Sequence, residues 1–419
     1  MAGSLFSRHD RSAFVWCIQN TIRGYSLIRL SPVLSVLMVF LRLGLTSFGG
    51  PMAHLGYFRE DFVARRKWLS EDGFADIVAL CQFLPGPASS QVGIAIGLSR
   101  AGLAGGVAAW IGFTLPSAIA LTLFAIGLSH ARLAADATWV HGLKIVAVAV
   151  VAQAFWGMAR SFCASRPGVA VAVTACLLVL LVPGTAGQIG AIVLGALCGW
   201  LLPPPPGHSQ TSPIDVRVPR AVAAGALGLF LLILFGLPIA ERWGGGQELV
   251  LFDRFFRVGA LVFGGGHVVL PLLEAAVVPP GWVGQDAFLA GYGAAQAVPG
   301  PLFTFAAFLG AAMGPEPNGW TGAGLCLAAI FLPSFLLVIG VLPWWVALRR
   351  HGVMQSLLRG VNAAVCGLLL AALYSPVWTG AIRSSSDFAI ALVAFVLLTI
   401  FRVAPWMVVV LGALAATLV

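Results

Sequence analysis

The chain has 419 residues, 59% of them hydrophobic and only 9% charged, with a formal net charge of +9. Soluble domains carry about 25% charged residues, so a mean hydropathy of +0.97 excludes a water-soluble surface around one core. The Arg residues lie mostly between apolar runs, which assigns the positive charge to membrane loops and not to nucleic acid; neither lysine, Lys67 or Lys144, sits in a phosphate-cradling Gly-rich loop.

Residues 1–32 form a basic N-terminal segment with Arg8, Arg11, Arg23 and Arg29, lacking the early apolar core of a signal peptide. Residues 33–202 read as a first membrane repeat, with spans expected at Val33–Gly50, Phe74–Leu98, Leu103–Leu128, Val140–Phe162, Gly168–Val182 and Gly187–Leu202. Residues 203–220 are a Pro-rich linker, and 221–240 a connecting transmembrane helix. The second repeat, 241–419, follows with Leu251–Val278, Ala287–Met313, Trp320–Trp345, Leu357–Trp378, Asp387–Phe401 and Ala404–Leu418. These runs are too long and uniformly apolar for barrel strands, and lipid requires every backbone polar group to pair internally. The expected fold is all-α, a polytopic membrane protein with about 13 transmembrane or re-entrant helices by the length rule. None of the seven cysteines forms a Cys-x-x-Cys pair, so no disulfide framework, metal site or cofactor is expected.

The two halves repeat their landmarks in order. Phe40-x-Arg42-x-Gly44-x-x-x-Phe48-Gly49-Gly50 matches Phe255-x-Arg257-x-Gly259-x-x-x-Phe263-Gly264-Gly265. Trp68, Asp72 and Phe74 match Trp282, Asp286 and Phe288. Gln82-x-x-Pro85-Gly86-Pro87 matches Gln296-x-x-Pro299-Gly300-Pro301, and Leu115-Pro116-Ser117 matches Leu332-Pro333-Ser334. Glu60 and Glu274 fall level, as do Gly142 and Gly360, more weakly. An ordered set at a nearly constant offset is an internal repeat. The odd connecting span predicts inverted halves, a common transporter plan. Loop charge agrees: 51–73 carries Arg59, Arg65, Arg66 and Lys67, while 266–286 carries no Lys or Arg. The basic N-terminus dissents unless Val33–Gly50 is re-entrant.

Arg42 and Arg257 lie inside apolar runs, at a cost of at least ~2.5–3.5 kcal/mol each. Two readings fit them: snorkelling to an interface or docking on carbonyls, or ligation of an anion by their planar forks. The paired glycines at 49–50 and 264–265, and the two Pro-Gly-Pro motifs, predict discontinuous helices whose free N-termini favour anions; ordinary kinks are the alternative. Gln82 and Gln296 supply neutral donors to such a site or tie helices together, as do Ser89, Ser90, Gln91 and Thr304. His267 either titrates or is structural. The candidate binding set is therefore Arg42, Gly49, Gly50, Gln82, Pro85, Gly86, Arg257, Gly264, Gly265, His267, Gln296, Pro299 and Gly300. Glu60, Asp76 and Glu274 are candidates to carry a coupled proton.

As a set, these motifs resemble the chromate ion transporter (CHR) superfamily, in its long two-domain form, from about Leu34 to the C-terminus. The resemblance implies a bacterial inner-membrane, multi-pass secondary transporter, not an enzyme, that exports chromate and confers resistance. Its expected partners are chromate or a sulfate-like oxyanion, the lipid bilayer and a coupled proton; a homodimer is compatible, nucleic acid is not. A sulfate-type uptake carrier or anion channel of the same architecture is the alternative, with a membrane-bound reductase behind it.

Overall fold

A computed structural model describes residues 31–130, 138–182, 184–201, 218–263, 266–348 and 352–418. The N-terminal segment up to 30, most of the Pro-rich linker, and Gly264 and Gly265 lie outside the described residues. Every regular element among those described is a helix. Among the described residues, five helices are long and apolar enough to cross a membrane, and seven shorter apolar helices, of 10–17 residues, accompany them.

In the first half, α1 is Pro32–Thr46 and α2 is Gly50–Phe58, which continues as a π-helical turn over Arg59–Arg65. Then come α3 (Glu71–Phe83), α4 (Ala88–His130), α5 (Thr138–Phe162), α6 (Arg166–Leu181) and α7 (Thr185–Trp200). Helix α8 (Arg220–Arg242) leads into the second half. There α9 is Gln247–Leu261, a 3-10 turn Gly266–Val268 opens α10 (Val269–Val277), and α11 is Gln285–Ala295. A 3-10 turn Leu302–Thr304 opens α12 (Phe305–Ala312), followed by α13 (Gly319–Val341), the single turn α14 (Trp345–Leu348) and α15 (Gly352–Ala372). Last are α16 (Thr379–Ala381), α17 (Ser385–Thr399) and α18 (Pro405–Leu418). The starts follow local chemistry: Ser31, Ser70 and Ser165 accept from backbone N–H groups as N-caps, and Ser384 with Asp387 forms a capping box.

Several expected single spans are pairs of half-helices. Helix α1 has 15 residues, about 22 Å at 1.5 Å per residue, which is short of a 30 Å hydrocarbon layer. The chain then doubles back. Phe40 stacks on Phe62 at 5.0 Å, and Arg42 pairs with Asp61, so the arm after Gly49 runs back along α1. The expected span Phe74–Leu98 is likewise α3 and the first arm of α4, turned at Pro85-Gly86-Pro87. Arg100, at the end of that arm, stacks over Trp68, just before α3, at 5.1 Å. In the second half, Leu251–Val278 divides into α9 and α10, which pack on one another. Ala287–Met313 divides into α11 and α12, closed by Gly314 N–H donating to the Trp282 carbonyl at 3.0 Å. Beyond the kink at Ala101 and Gly102, the second arm of α4 (103–130) is a separate long helix. Its counterpart α13 begins after the loop at 313–318.

The halves then exchange their last helices. Helix α5 of the first half packs against α17 and α18 of the second, and α15 of the second packs against α6 and α7 of the first. Two pairs of repeat-equivalent glycines make this possible. A Cβ on Gly142 would lie 2.7 Å from the Gly412 carbonyl oxygen, and one on Gly360 would lie 2.0 Å from that of Gly195. Close backbone approach of this kind is how membrane helices gain packing energy when lipid removes the hydrophobic drive. The reciprocity, in which one contact and its repeat-equivalent both occur, is the mark of a two-fold relation.

Candidate functional site

The four turned-back hairpins place their tips together across the boundary between the halves. Gly86 N–H donates to the Val262 carbonyl at 2.7 Å, and Gly300 N–H donates to the Ser47 carbonyl at 2.9 Å. Each Pro-Gly-Pro glycine thus bonds to the end of the arginine-bearing helix of the other half. These glycines have φ of +123° and +106°, a region closed to most side chains. A Cβ on Gly86 would lie 2.8 Å from Ser334 Oγ, and one on Gly300 would lie 2.8 Å from Ser117 Oγ. Pro51 and Gly266, which occupy the same place in the two repeats, touch: a Cβ on Gly266 would lie 3.3 Å from Pro51 Cγ.

The returning arm of every hairpin begins at its tip. Helix α2 starts at Gly50, α4 at Ala88, the 3-10 turn of α10 at Gly266 and that of α12 at Leu302. Four helix N-termini therefore converge on one region. Each carries unpaired N–H groups and partial positive charge. Proline sets these starts: Pro51 and Pro87 stand at or just before their helices, where a missing N–H costs nothing.

Side chains complete the region. His54, buried on α2, bridges the Ser47 carbonyl at 3.2 Å and Ser89 Oγ at 3.3 Å. Gln91 Nε2 donates to the Pro85 carbonyl at 2.6 Å. Thr304 Oγ donates to the Pro301 carbonyl at 2.7 Å. His267 Nδ1 lies 2.9 Å from the Tyr292 hydroxyl. Ser47 Oγ, Ser90 Oγ, Gln91 Oε1, Ser334 Oγ and Gln296 Nε2 are buried with no protein hydrogen-bond partner, and an unsatisfied buried group costs about 1–3 kcal/mol.

Of the residues singled out in the sequence, Gly49, Gly50, Pro85, Gly86, His267, Gln296, Pro299 and Gly300 lie in or beside these tips. Gln82 is exposed, on the last turn of α3. Arg42 and Arg257 sit one to two turns before the tips, and both are matched by acids. Arg42 bonds to buried Asp61, which Arg65 and Arg66 also approach at 3.5 and 3.7 Å. Arg257 Nε donates to both oxygens of Asp253, at 2.7 and 2.9 Å, and its terminal nitrogen donates to the Leu234 carbonyl at 2.8 Å. That carbonyl is free because its helical partner would be the N–H of residue 238, a proline inside α8. Glu60 is exposed and Glu274 half-buried; buried Asp76 accepts from the Trp345 indole at 3.0 Å.

Sequence reasoning missed His54, Ser47, Asp61 and Asp253. His54 falls three residues after Pro51, whereas His267 follows Gly266 directly, so the repeat alignment hides their likeness. Asp253 is four residues before Arg257 on the same helix, a spacing legible in the sequence; Asp61 is nineteen residues after Arg42 on another element, and only the hairpin brings them together.

The sequence pattern of the family described as Chromate transporter matches residues 34–200 and again 249–417. The chain belongs to this family. It is 26% identical to a chromate transport protein of Pseudomonas aeruginosa, over 79% of this chain and 77% of that protein. It is 26% identical to a chromate transport protein of Cupriavidus metallidurans, over 86% of each chain, and 26% identical to an uncharacterized transporter of Methanocaldococcus jannaschii, over 81% and 83%. No solved structure matches.

Proposed function

We propose that this chain is a secondary transporter that moves chromate, or a tetrahedral oxyanion like it, outward across the bacterial inner membrane by alternating access, and so confers chromate resistance. One observation carries the reading: four helix N-termini and a set of buried, unpartnered hydroxyl and amide groups face one region between the repeats. A dianion leaving water needs positive potential and many donors, and helix starts supply both without a titratable group. Arg42 and Arg257 flank that region but are paired with Asp61 and Asp253; direct ligation of the anion by either requires its acid to give way. A coupled proton would be carried by Asp76 or Glu274, since Glu60 lies exposed at the basic end.

Inversion of the halves is part of the proposal. If the turned-back hairpins contribute no crossings, each half holds four remaining helices: the second arm of α4 with α5, α6 and α7, then α13, α15, α17 and α18. Helix α8 between them makes the count odd, which supports opposite orientations. The return of the chain at the tip of α1 also supports a reading in which the start of α1 and the Arg59–Lys67 stretch lie on one side, in keeping with the positive-inside rule.

The test is flux of labelled chromate into inverted vesicles. Export from cells predicts uptake by these vesicles that an uncoupler abolishes; passive flux insensitive to it supports a channel instead. Sulfate added as competitor ranks the two anions. Cysteine labelling of 51–73 and 266–286 checks orientation, and both loops on one face would refute inversion.

A further inference from the structure

A second cluster of charge lies away from the tips, where the N-termini of α5, α11 and α17 meet the C-terminal ends of α4 and α12. Lys144 is on α5 and only 1% exposed, yet it is an ammonium on a membrane helix. Its Nζ donates to Asp286 Oδ1 at 2.8 Å. The guanidinium of Arg383, from the turn before α17, lies 3.9 Å from the same oxygen. Beside them is a cavity of about 200 Å³ lined by Ala125, Leu128, Ser129, Val140, Asp286, Ala287 and Ala312.

The other acid here is already engaged. Asp387 accepts from the backbone N–H groups of Arg383 and Ser384 at 2.9 and 3.0 Å and from His141 at 3.0 Å, so it serves the start of α17. Asp286 has no such duty. It is 42% exposed at its side chain, and α11 has no side-chain cap. The pair is therefore asymmetric: water reaches the carboxylate, which can swing away, while the lysine is held inside. What remains when Asp286 leaves is a buried ammonium with a guanidinium near it, at the uncapped start of α11 and next to the cavity, an anion-attracting pair.

We propose that Lys144 and Arg383 form a second oxyanion station at the end of the bundle, and that Asp286 occupies it as an internal stand-in for the anion in this conformation. The station rests on the transport reading above. Its place follows from α11, which begins at the station and ends at Gln296 and the Pro299-Gly300-Pro301 tip, about 15 Å along the helix axis. An anion that displaces Asp286 would thus act on the helix that carries one of the four tips.

The experiment measures chromate flux, as KM and kcat, for the full chain in vesicles. Asp286→Asn uncovers both cations, so KM falls about tenfold, the worth of one charge-assisted hydrogen bond, and kcat falls as release slows. Lys144→Met raises KM by about the same factor. KM within twofold of wild type in both variants, with normal melting, overturns the station while leaving the transport reading intact. If both variants fail to fold, the exchange Lys144→Asp with Asp286→Lys decides. A pair that only ties helices together is repaired by the exchange with wild-type KM, which overturns the proposal. A station needs its cation on α5, so the exchanged protein folds but keeps a raised KM. Absent flux in the wild type overturns the transport reading, and the station with it.

Discussion

Gly86 and Val262 are 176 positions apart in the chain, and the N–H of the first donates to the carbonyl of the second at 2.7 Å. The equivalent bond, Gly300 to Ser47, forms at 2.9 Å. Each half therefore holds the tip of the other by one backbone bond, buried where an unmade bond is expensive. The two bonds tie the hairpin tips of the two halves together.

Alanine at Gly86 or Gly300 should disturb those bonds. A side chain at φ of +123° or +106° is strained, and the new Cβ meets Ser334 Oγ or Ser117 Oγ at 2.8 Å. We expect each to destabilise by at least about 2 kcal/mol and to abolish chromate flux. Gly281→Ala is the control: its φ is +75° but no atom lies within 4 Å of the added carbon. Only the backbone strain of about 1 kcal/mol remains there, and flux should survive. Melting in detergent and vesicle flux read both quantities.

The two arginines should differ when neutralised. Arg257→Gln leaves Asp253 buried without the guanidinium that spans both its oxygens, a cost of about 3–5 kcal/mol. Arg42→Gln leaves Asp61 with Arg65 and Arg66 at 3.5 and 3.7 Å, so its cost should be about half as large. Adding Asp253→Asn to Arg257→Gln should restore most of the lost melting temperature. An Arg42→Gln variant less stable than Arg257→Gln would contradict this ranking.

The exchanged helices make a sharper packing test. Gly142→Leu and Gly360→Leu drive side chains into backbone at 2.7 and 2.0 Å, and no rotamer avoids it. Both should lose folded protein, seen as aggregation in size-exclusion chromatography. Gly225→Leu on α8 should be neutral, because nothing lies within 4 Å of its added carbon.

His54 ties α2 to α4 and to the end of α1. His54→Phe keeps a ring against Phe113, whose centroid is 5.1 Å away, but removes the contacts to the Ser47 carbonyl and Ser89 Oγ. Two neutral hydrogen bonds are worth about 2 kcal/mol together, so the protein should fold with a lowered melting point. Chromate flux should fall more than stability does, since the lost bonds lie at the tips. His54→Asn, able to keep one bond, should retain more flux.

The sequence by itself determined the membrane class, the helical backbone, the repeat and the breaks. These follow from local rules: hydropathy over twenty residues, the missing N–H of proline, the tolerance of glycine for positive φ. Arg42, Gly86 and Gly300 stood out because each is costly where it is placed, and cost is visible without coordinates. Tertiary structure alone decided what those costs are matched by. That Asp61 and not an open cavity faces Arg42, that the Leu234 carbonyl freed by Pro238 receives Arg257, and that α5 belongs with α17 and α18 all depend on contacts between distant segments. The sequence presents 47 and 300 as unrelated positions; the hairpins bring them to 2.9 Å. Repeat symmetry told which residues are equivalent. It could not tell that equivalent residues reach across the boundary, because a reciprocal exchange and two separate halves share one pattern of hydropathy and differ only in which backbone surfaces meet.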